Sequence, residues 1–460
     1  MLGLMIAIFI TGIAARMILK HYKPQMVLIV AGFLMMACAV AWNFGPIMPV
    51  KQSTGFNWFD IFHFADKLLS TRTADLGMII MISAGFASYM DKIGASNVFV
   101  HLATQPLKLI RSRYVVLSLG FFICQFLHIF VPTAAGYLML LMVTVYPIYV
   151  GLGISRLTAT AVIATNASLD VTPVGGNTIL AAKLSGITPV EYFANNQMTV
   201  LIITSIIMAV IHFFIHRRFE AEYREKEMPA EAAIKEKALA VSDTGALAPL
   251  YYAILPTVPL ILVMAFGYFK IKGINLGITA AMFISISLAM ACEVLRYRDL
   301  NRAFSSIQVV FDAMGKSFSN VITLIVSGEI FAKGLQSLGA IDTLIDCAQN
   351  AGVGKTGMTL IMSGIIAVCT LVMGSGNASF FSLAAFAPDI AKEMGTSAVS
   401  ILLPMHMTAS IARQFSPITA SVVAICGVAG VSPFAVVRRT IIPLIPALII
   451  VQIITYFMYN

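Results

Sequence analysis

Apolar runs of about 20 residues recur along the chain, separated by short segments that carry most of the charge. A run of that length matches a helix crossing a hydrocarbon core. The pattern predicts helices over 2–19, 25–44, 76–92 and 198–216, and again over 249–267, 275–294, 318–334 and 441–458. Phe56 to Phe62, rich in aromatics around Asn57 and Asp60, suits a helix lying at a membrane interface. Two longer runs are interrupted. The run 114–150 turns at Pro132-Thr133-Ala134-Ala135-Gly136, and the run 356–390 at Gly374-Ser375-Gly376-Asn377-Ala378-Ser379. Two further apolar stretches are broken at Thr172-Pro173 and Ser416-Pro417, where proline removes a backbone donor. A break at membrane depth is costly unless it lines a protected polar cavity.

The breaks belong to an internal duplication. Thr172-Pro173 precedes Thr188-Pro189 by 16 residues, as Ser416-Pro417 precedes Ser432-Pro433. Gly186-Ile187 and Gly430-Val431 stand before the second member of each set, all at one offset of 244 residues. That offset also pairs Gly120 with Gly364, Gly151 with Gly395 and Thr133 with Asn377, while Phe86-Ala87 matches Phe331-Ala332 one residue slipped. The expected domains are a first repeat over 1–216, a charged linker over 217–248 and a second repeat over 249–460. The linker's start, 217–241, holds six basic and six acidic residues and reads as solvated and partly helical.

Charge placement orients the halves. With the interrupted runs as re-entrant hairpins, each half crosses about five times. An outside N-terminus then places Arg16, Lys20, Lys23, Lys108, Arg111, Arg113, Arg156, Arg217 and Arg218 in the cytoplasm. Arg296, Arg298, Arg302, Arg438 and Arg439 join them, with Lys270 and Lys272 outside. An odd number of crossings inverts the second repeat. The expected fold is an all-α polytopic membrane protein of two inverted-topology repeats, with about ten spans, two re-entrant hairpins and two broken helices.

Composition agrees: 59% of residues are hydrophobic and 11% charged, with a mean hydropathy of +0.90. The net charge of +9 is scattered beside apolar runs, which argues against a nucleic-acid partner. The first run has no basic residues before it, so it reads as a retained helix rather than a cleaved signal. The six cysteines have no paired or metal-ligand spacing, and they imply neither disulfides nor a metal site.

Candidate chemistry gathers at the tips and breaks. Half-helix N-termini present free N–H groups and positive dipole ends to an anion. Arg413, an intramembrane charge three residues before Ser416-Pro417, is the expected substrate ligand, since a guanidinium fork suits a carboxylate. Ser375, Gly376, Asn377 and Ser379 at one tip, Thr133 at the other, Thr172, Asn177 and Thr178 at the first break, and Ser416 and Thr419 at the second complete the expected site. Asp170 is a coupling-ion candidate or Arg413's partner, and Glu329 a coupling-ion candidate or a paired face residue. Thr188-Pro189 and Ser432-Pro433 read as helix caps. His128 and His406 read as satisfied helix residues. No His-Glu-x-x-His, no Gly-x-Ser-x-Gly and no nucleophile–base pair points to an enzyme.

Asp75-Leu76-Gly77-Met78, the tip Met373-Gly374-Ser375-Gly376-Asn377-Ala378, and Arg413…Ser416-Pro417…Gly430-Val431-Ser432-Pro433-Phe434 resemble the anaerobic C4-dicarboxylate carriers of the DcuC type. The resemblance runs nearly end to end and includes the central linker. It implies a carrier of succinate, fumarate, malate or aspartate in a bacterial inner membrane, serving succinate efflux or exchange in anaerobic growth. It also implies a homodimer surrounded by lipid, each subunit with a scaffold and a moving transport domain. No cofactor is expected, and coupling to H⁺ or Na⁺ is open. Symporter relatives in the same superfamily carry Ser-Asn-Thr at both tips, whereas here the tips read Ser375-Gly376-Asn377 and a lone Thr133. The rival readings are a cation/proton antiporter using Asp170 and Glu329, a carrier of another small organic anion, and a passive channel.

Overall fold

The computed structural model describes residues 2–20, 22–110, 112–227, 248–274, 276–340, 343 and 353–459. Most of the expected linker (228–247), Arg111 and Cys347 lie outside them. All regular structure among the described residues is helical. Nine of the described helices are long and apolar enough to cross a membrane, and Leu2–Ile18, Arg113–Leu127 and Leu250–Phe266 are shorter apolar helices. The protein is a multi-pass membrane protein.

Apolar helices occupy the expected stretches, with two changes. The segment Phe56 to Phe62 is not a separate interfacial helix. It opens a continuous helix, Asn57–Lys92, which passes through a π turn at Thr73–Gly77. Likewise the basic segment after Tyr297 is helical from Leu300, giving Leu300–Ser337 with a π turn at Phe318–Ile322. Charged residues of the first long helix have partners, Arg72 in the opposite half and Asp75 in its own. Arg72 forks onto Glu329 through Nε and Nη2 at 2.8 Å each, and Asp75 pairs with Lys183. An ion pair of this kind keeps polar groups tolerable inside a helix that remains otherwise apolar.

These two long helices run side by side and antiparallel. Met78–Lys92 packs on Leu300–Ser317, and the two π turns touch. Pro24–Ala41 packs on Thr323–Ser337, while Ile278–Tyr297 packs on Met78–Lys92, so each half lays its second helix on the other's long helix. At the first of these contacts the backbones approach closely: a Cβ on Gly32 would lie 2.7 Å from the Ile330 carbonyl oxygen, and one on Gly334 would lie 2.9 Å from that of Gly32. Small residues permit this packing where no hydrophobic effect draws helices together.

Each interrupted run forms a helical hairpin. Arg113–Leu127 returns as Ala134–Gly151, with Tyr137 bonded to the Cys124 carbonyl and Tyr149 lying against Gly120. Lys355–Met373 returns from Gly376, with Gly374 in the left-handed conformation (φ 63°) at the corner. The two returning arms cross between halves: Ala134–Thr144 packs on Ala420–Ala429, and Gly376–Leu383 on Gly176–Leu184. Both broken helices are present as well. Arg156–Thr165 stops, residues 166–175 lack helix, and Gly176–Leu184 resumes. Ala398–Ala412 passes through one tight turn, Arg413–Phe415, and resumes at Ala420. Thr188 caps its helix as expected, in a reciprocal pair with Glu191. Cys38, Cys124, Cys292, Cys369 and Cys426 are free thiols.

Candidate functional site

Arg413 stands where the second broken helix loses its α-helical geometry, with its side chain 7% exposed. Its Nη1 lies 3.6 Å from Asp170 Oδ2, and its Nη2 donates to the Ala167 carbonyl at 2.5 Å. Both contacts come from the gap in the first broken helix. Charge-assisted N–H···O bonds ordinarily close to about 2.8 Å, so the Arg413–Asp170 contact is a loose one. Arg413 Nε and Asp170 Oδ1 are buried without a hydrogen-bond partner. A buried pair with spare donor and acceptor capacity is poised to accept a further polar group.

Two helix N-termini converge beside this pair. Ser375 caps Gly376–Leu383 by accepting from the Ala378 N–H at 3.2 Å. Gly376 lies against the second broken helix: a Cβ there would sit 2.4 Å from the Ala409 carbonyl oxygen and 3.4 Å from Arg413 Cδ. Only glycine permits that approach. Facing it, Asn177 in the first turn of Gly176–Leu184 donates from Nδ2 to Asn377 Oδ1 at 3.1 Å. Arg413, Asp170, Asn177, Gly376 and Asn377 are therefore brought together from both halves. Ser375 and Asn377 also line a cavity of about 450 Å³, walled on its other side by Tyr22, Gln25 and Asn320.

The remaining expected residues support or stand apart from this group. Thr419 donates to the Arg413 carbonyl at 2.7 Å and Ser416 to the Leu371 carbonyl at 3.0 Å, which hold the break and join it to the hairpin. Ser379 is wholly buried and bonded to Thr370 and to the Gly376 carbonyl. Thr178 bonds Gln197, whose amide also reaches His406 at 3.4 Å. Thr172 Oγ1 accepts from the Val174 N–H at 3.5 Å within its own turn. Thr133 is at the other hairpin tip, where Gly136 packs close to its hydroxyl and to the Asp91 carboxylate. Glu329 is taken by Arg72 in a two-point contact.

His128 and His406 are not satisfied helix residues. His128 Nδ1 lies 3.4 Å from the Leu169 carbonyl, yet its Nε2 is buried without a partner, as is Nε2 of His406. Gln125, Gln197 and Gln414 belong to the same polar shell and went unnoticed in the sequence. Gln125 donates to the Leu169 carbonyl at 3.0 Å, and Gln414 extends toward that of Ala167. Their only sequence signal is polarity inside apolar runs.

The chain matches the family of C4-dicarboxylate anaerobic carriers, DcuC, over residues 2–460. It is 33% identical over 455 residues to the anaerobic C4-dicarboxylate transporter DcuC of Escherichia coli strain K12, covering 99% of this chain and 96% of that protein. It is also 33% identical to the probable anaerobic C4-dicarboxylate transporter DcuC of Vibrio cholerae, covering 98% of this chain and 97% of the relative. Among solved structures, the YdaH transporter of Alcanivorax borkumensis has a similar fold, with a TM-score of 0.61 over 94% of this chain and 98% of that one at 13% identity. The resemblance read from the tip and break motifs is borne out along the whole chain.

Proposed function

The chain belongs to the C4-dicarboxylate anaerobic carrier family, and from that premise we propose that it carries C4-dicarboxylates such as succinate, fumarate, malate or aspartate across a bacterial inner membrane. It is not an enzyme; the matched relatives are transporters.

One observation supports this reading most: Arg413 is buried at a helix break, loosely held by Asp170, where the N-termini of Gly176–Leu184 and Gly376–Leu383 converge. A carboxylate arriving there displaces Asp170 from the guanidinium and takes the fork bidentately. Ser375 and Asn377 at the tip and the free N–H groups of both helix starts serve the same anion. The second carboxylate meets Asn177 and the turn of Thr172. Spacing between these groups then selects two carboxylates over one.

Transport follows by alternating access between two inverted repeats. The antiparallel long helices, the exchanged packing of second helices and the crossed hairpin arms support a pseudo-two-fold axis in the membrane plane. The cavity at Ser375 and Asn377 is lined by Ile18, Tyr22, Pro24 and Gln25, in the stretch that carries Arg16, Lys20 and Lys23, which supports reading this conformation as facing the cytoplasm. The working unit is a homodimer in which the hairpins and broken helices move against the long helices, giving succinate efflux or exchange.

Counterflow tests the substrate. Proteoliposomes preloaded with unlabelled succinate are diluted into labelled succinate. Transient accumulation blocked by fumarate and not by a monocarboxylate is expected; its absence from inserted, folded protein overturns the proposal. A passive channel cannot produce uphill exchange.

A further inference from the structure

We propose that His216, His212 and Thr165 form a proton relay, running from the charged end of the Met198–Glu227 helix to the first helix break. It rests on the transport reading above and adds to it a separate path for protons.

The three side chains are 1%, 1% and 0% exposed. His216 Nε2 lies 2.9 Å from His212 Nδ1, and His212 Nε2 lies 3.0 Å from Thr165 Oγ1. The Thr165 hydroxyl donates to the Val162 carbonyl at 2.6 Å, and this bond sets the order of the rest. Because the hydroxyl hydrogen is committed to a carbonyl, Thr165 Oγ1 accepts from His212 Nε2–H. His212 Nδ1 is then bare and accepts from His216 Nε2–H. The chain ends in a lone pair on His216 Nδ1, and that nitrogen is buried without a partner.

A proton can therefore bind at His216 Nδ1 and release another from Nε2 to His212 Nδ1. His212 in turn gives up its Nε2 proton to Thr165 Oγ1, which passes its own proton on when the hydroxyl turns away from Val162. One proton enters and one leaves. Each imidazole ends neutral in the opposite tautomer, and each sheds its Nδ1 proton and takes one at Nε2 before the next transfer. The entrance is next to the exposed Arg217 and Arg218. At the exit, Thr165 is the last residue before the break, buried Asn166 Oδ1 has no partner, and the Ala167 carbonyl is the one that Arg413 grips. The relay thus delivers to the surroundings of Arg413 and Asp170.

The groups facing the pair are few. Arg113–Leu127 presents Phe121, its ring 4.6 Å from His212, and Phe219 lies 6.2 Å from His216 on the same helix. The charged neighbour is Arg439 of Pro433–Tyr459, which stands 5.3 Å over Phe219 and bonds Thr158 on Arg156–Thr165. Two stacked histidines could serve as packing alone. Packing does not call for a directional chain of bonds ending in a bare nitrogen, and such polar chains inside a membrane are expensive to keep.

The test uses proteoliposomes holding an internal pH dye, with wild-type protein and the variants His212→Gln, His216→Gln and Thr165→Val. Glutamine keeps hydrogen bonds but cannot pass a proton through itself. Luminal acidification during succinate entry, and accumulation driven by a pH gradient, should each fall at least about tenfold. Counterflow, which needs no net proton movement, should stay within about twofold. Retained proton movement in all three variants overturns the relay. So does a wild-type protein whose net succinate entry moves no protons, or a parallel loss of counterflow in the variants, which marks a structural role. Absent wild-type counterflow overturns instead the dicarboxylate reading, and the relay falls with it.

Discussion

Asn177 donates to Asn377 across 3.1 Å, although they stand 200 positions apart in the chain. One stands in the first turn after the first break and the other at the second hairpin tip, so this bond joins the two halves where two helix N-termini point at one place. Both groups are neutral. The positive potential of the helix ends is therefore left for a ligand to neutralise.

A carboxylate at residue 377 should spoil that potential without breaking the contact. In Asn377→Asp the new oxygen still accepts from Asn177 Nδ2, but a negative charge now occupies the position proposed for substrate. A like charge opposing an anion costs about 1.4 kcal/mol or more here, which is a tenfold rise in KM. Counterflow measured against succinate concentration reads this directly, and an unchanged KM places the substrate elsewhere.

Removing the Arg413 side chain should abolish transport for two separable reasons. Arg413→Ala takes away the carboxylate fork and leaves Asp170 buried without its cation. Stranding one partner of a buried pair destabilises by about 3–5 kcal/mol. The double variant Arg413→Ala with Asp170→Ala should regain much of the thermal stability in detergent and still show no counterflow. Restored transport in the double variant would make the arginine a brace and not a ligand.

The site was legible where its chemistry is local. Ser375 and Thr133 stand directly before a returning helix because Gly, Pro and hydroxyl side chains announce a corner within a few residues. The 244-residue offset sets Asp170 one residue from Arg413's equivalent position, and the structure pairs the two. Partners chosen by tertiary packing left no such mark. Arg72 and Glu329 are 257 residues apart, and nothing local to either one marks the other as its partner. The π turns have no compositional signal, and the His216–His212–Thr165 chain depends on two helices facing each other. Isolated polar residues in apolar runs were the visible clue, but only geometry distinguishes a shell from a chain.

Glycine positions give a paired test of the tip's packing. Gly376→Ala drives a methyl into the Ala409 carbonyl oxygen, 2.4 Å away in the backbone and unable to yield cheaply. The tip should be pushed off Arg413, with transport lost at least about tenfold and stability lowered by about 1–3 kcal/mol. Gly364→Ala is the control, because nothing lies within 4 Å of its added carbon. In a helix interior that change should stabilise by about 0.5–1 kcal/mol and leave transport alone. Equal effects at both sites would mean that the close approach does not matter.

The Arg72–Glu329 contact separates a structural brace from an ion-coupling site. Glu329 receives both Nε and Nη2 of Arg72, and the neighbouring Gly328 lies against the returning arm of the second hairpin, where an added Cβ would sit 2.7 Å from the Phe381 carbonyl oxygen. The pair ties a long helix of one half to the helix that backs the hairpin in the other. As a brace, Glu329→Gln leaves Arg72 with a neutral partner and lowers stability, by up to about 3–5 kcal/mol. Arg72→Ala with Glu329→Ala should cost less than the sum of the two single changes, a coupling that a double-mutant cycle measures from thermal unfolding in detergent. Counterflow per folded molecule should match wild type in both. If Glu329 instead binds the coupling ion, the pattern reverses: stability holds in Glu329→Gln, while ion-driven accumulation disappears and exchange persists. The two outcomes cannot coincide, because an acid clamped by a guanidinium at two points must release it before it can take up an ion.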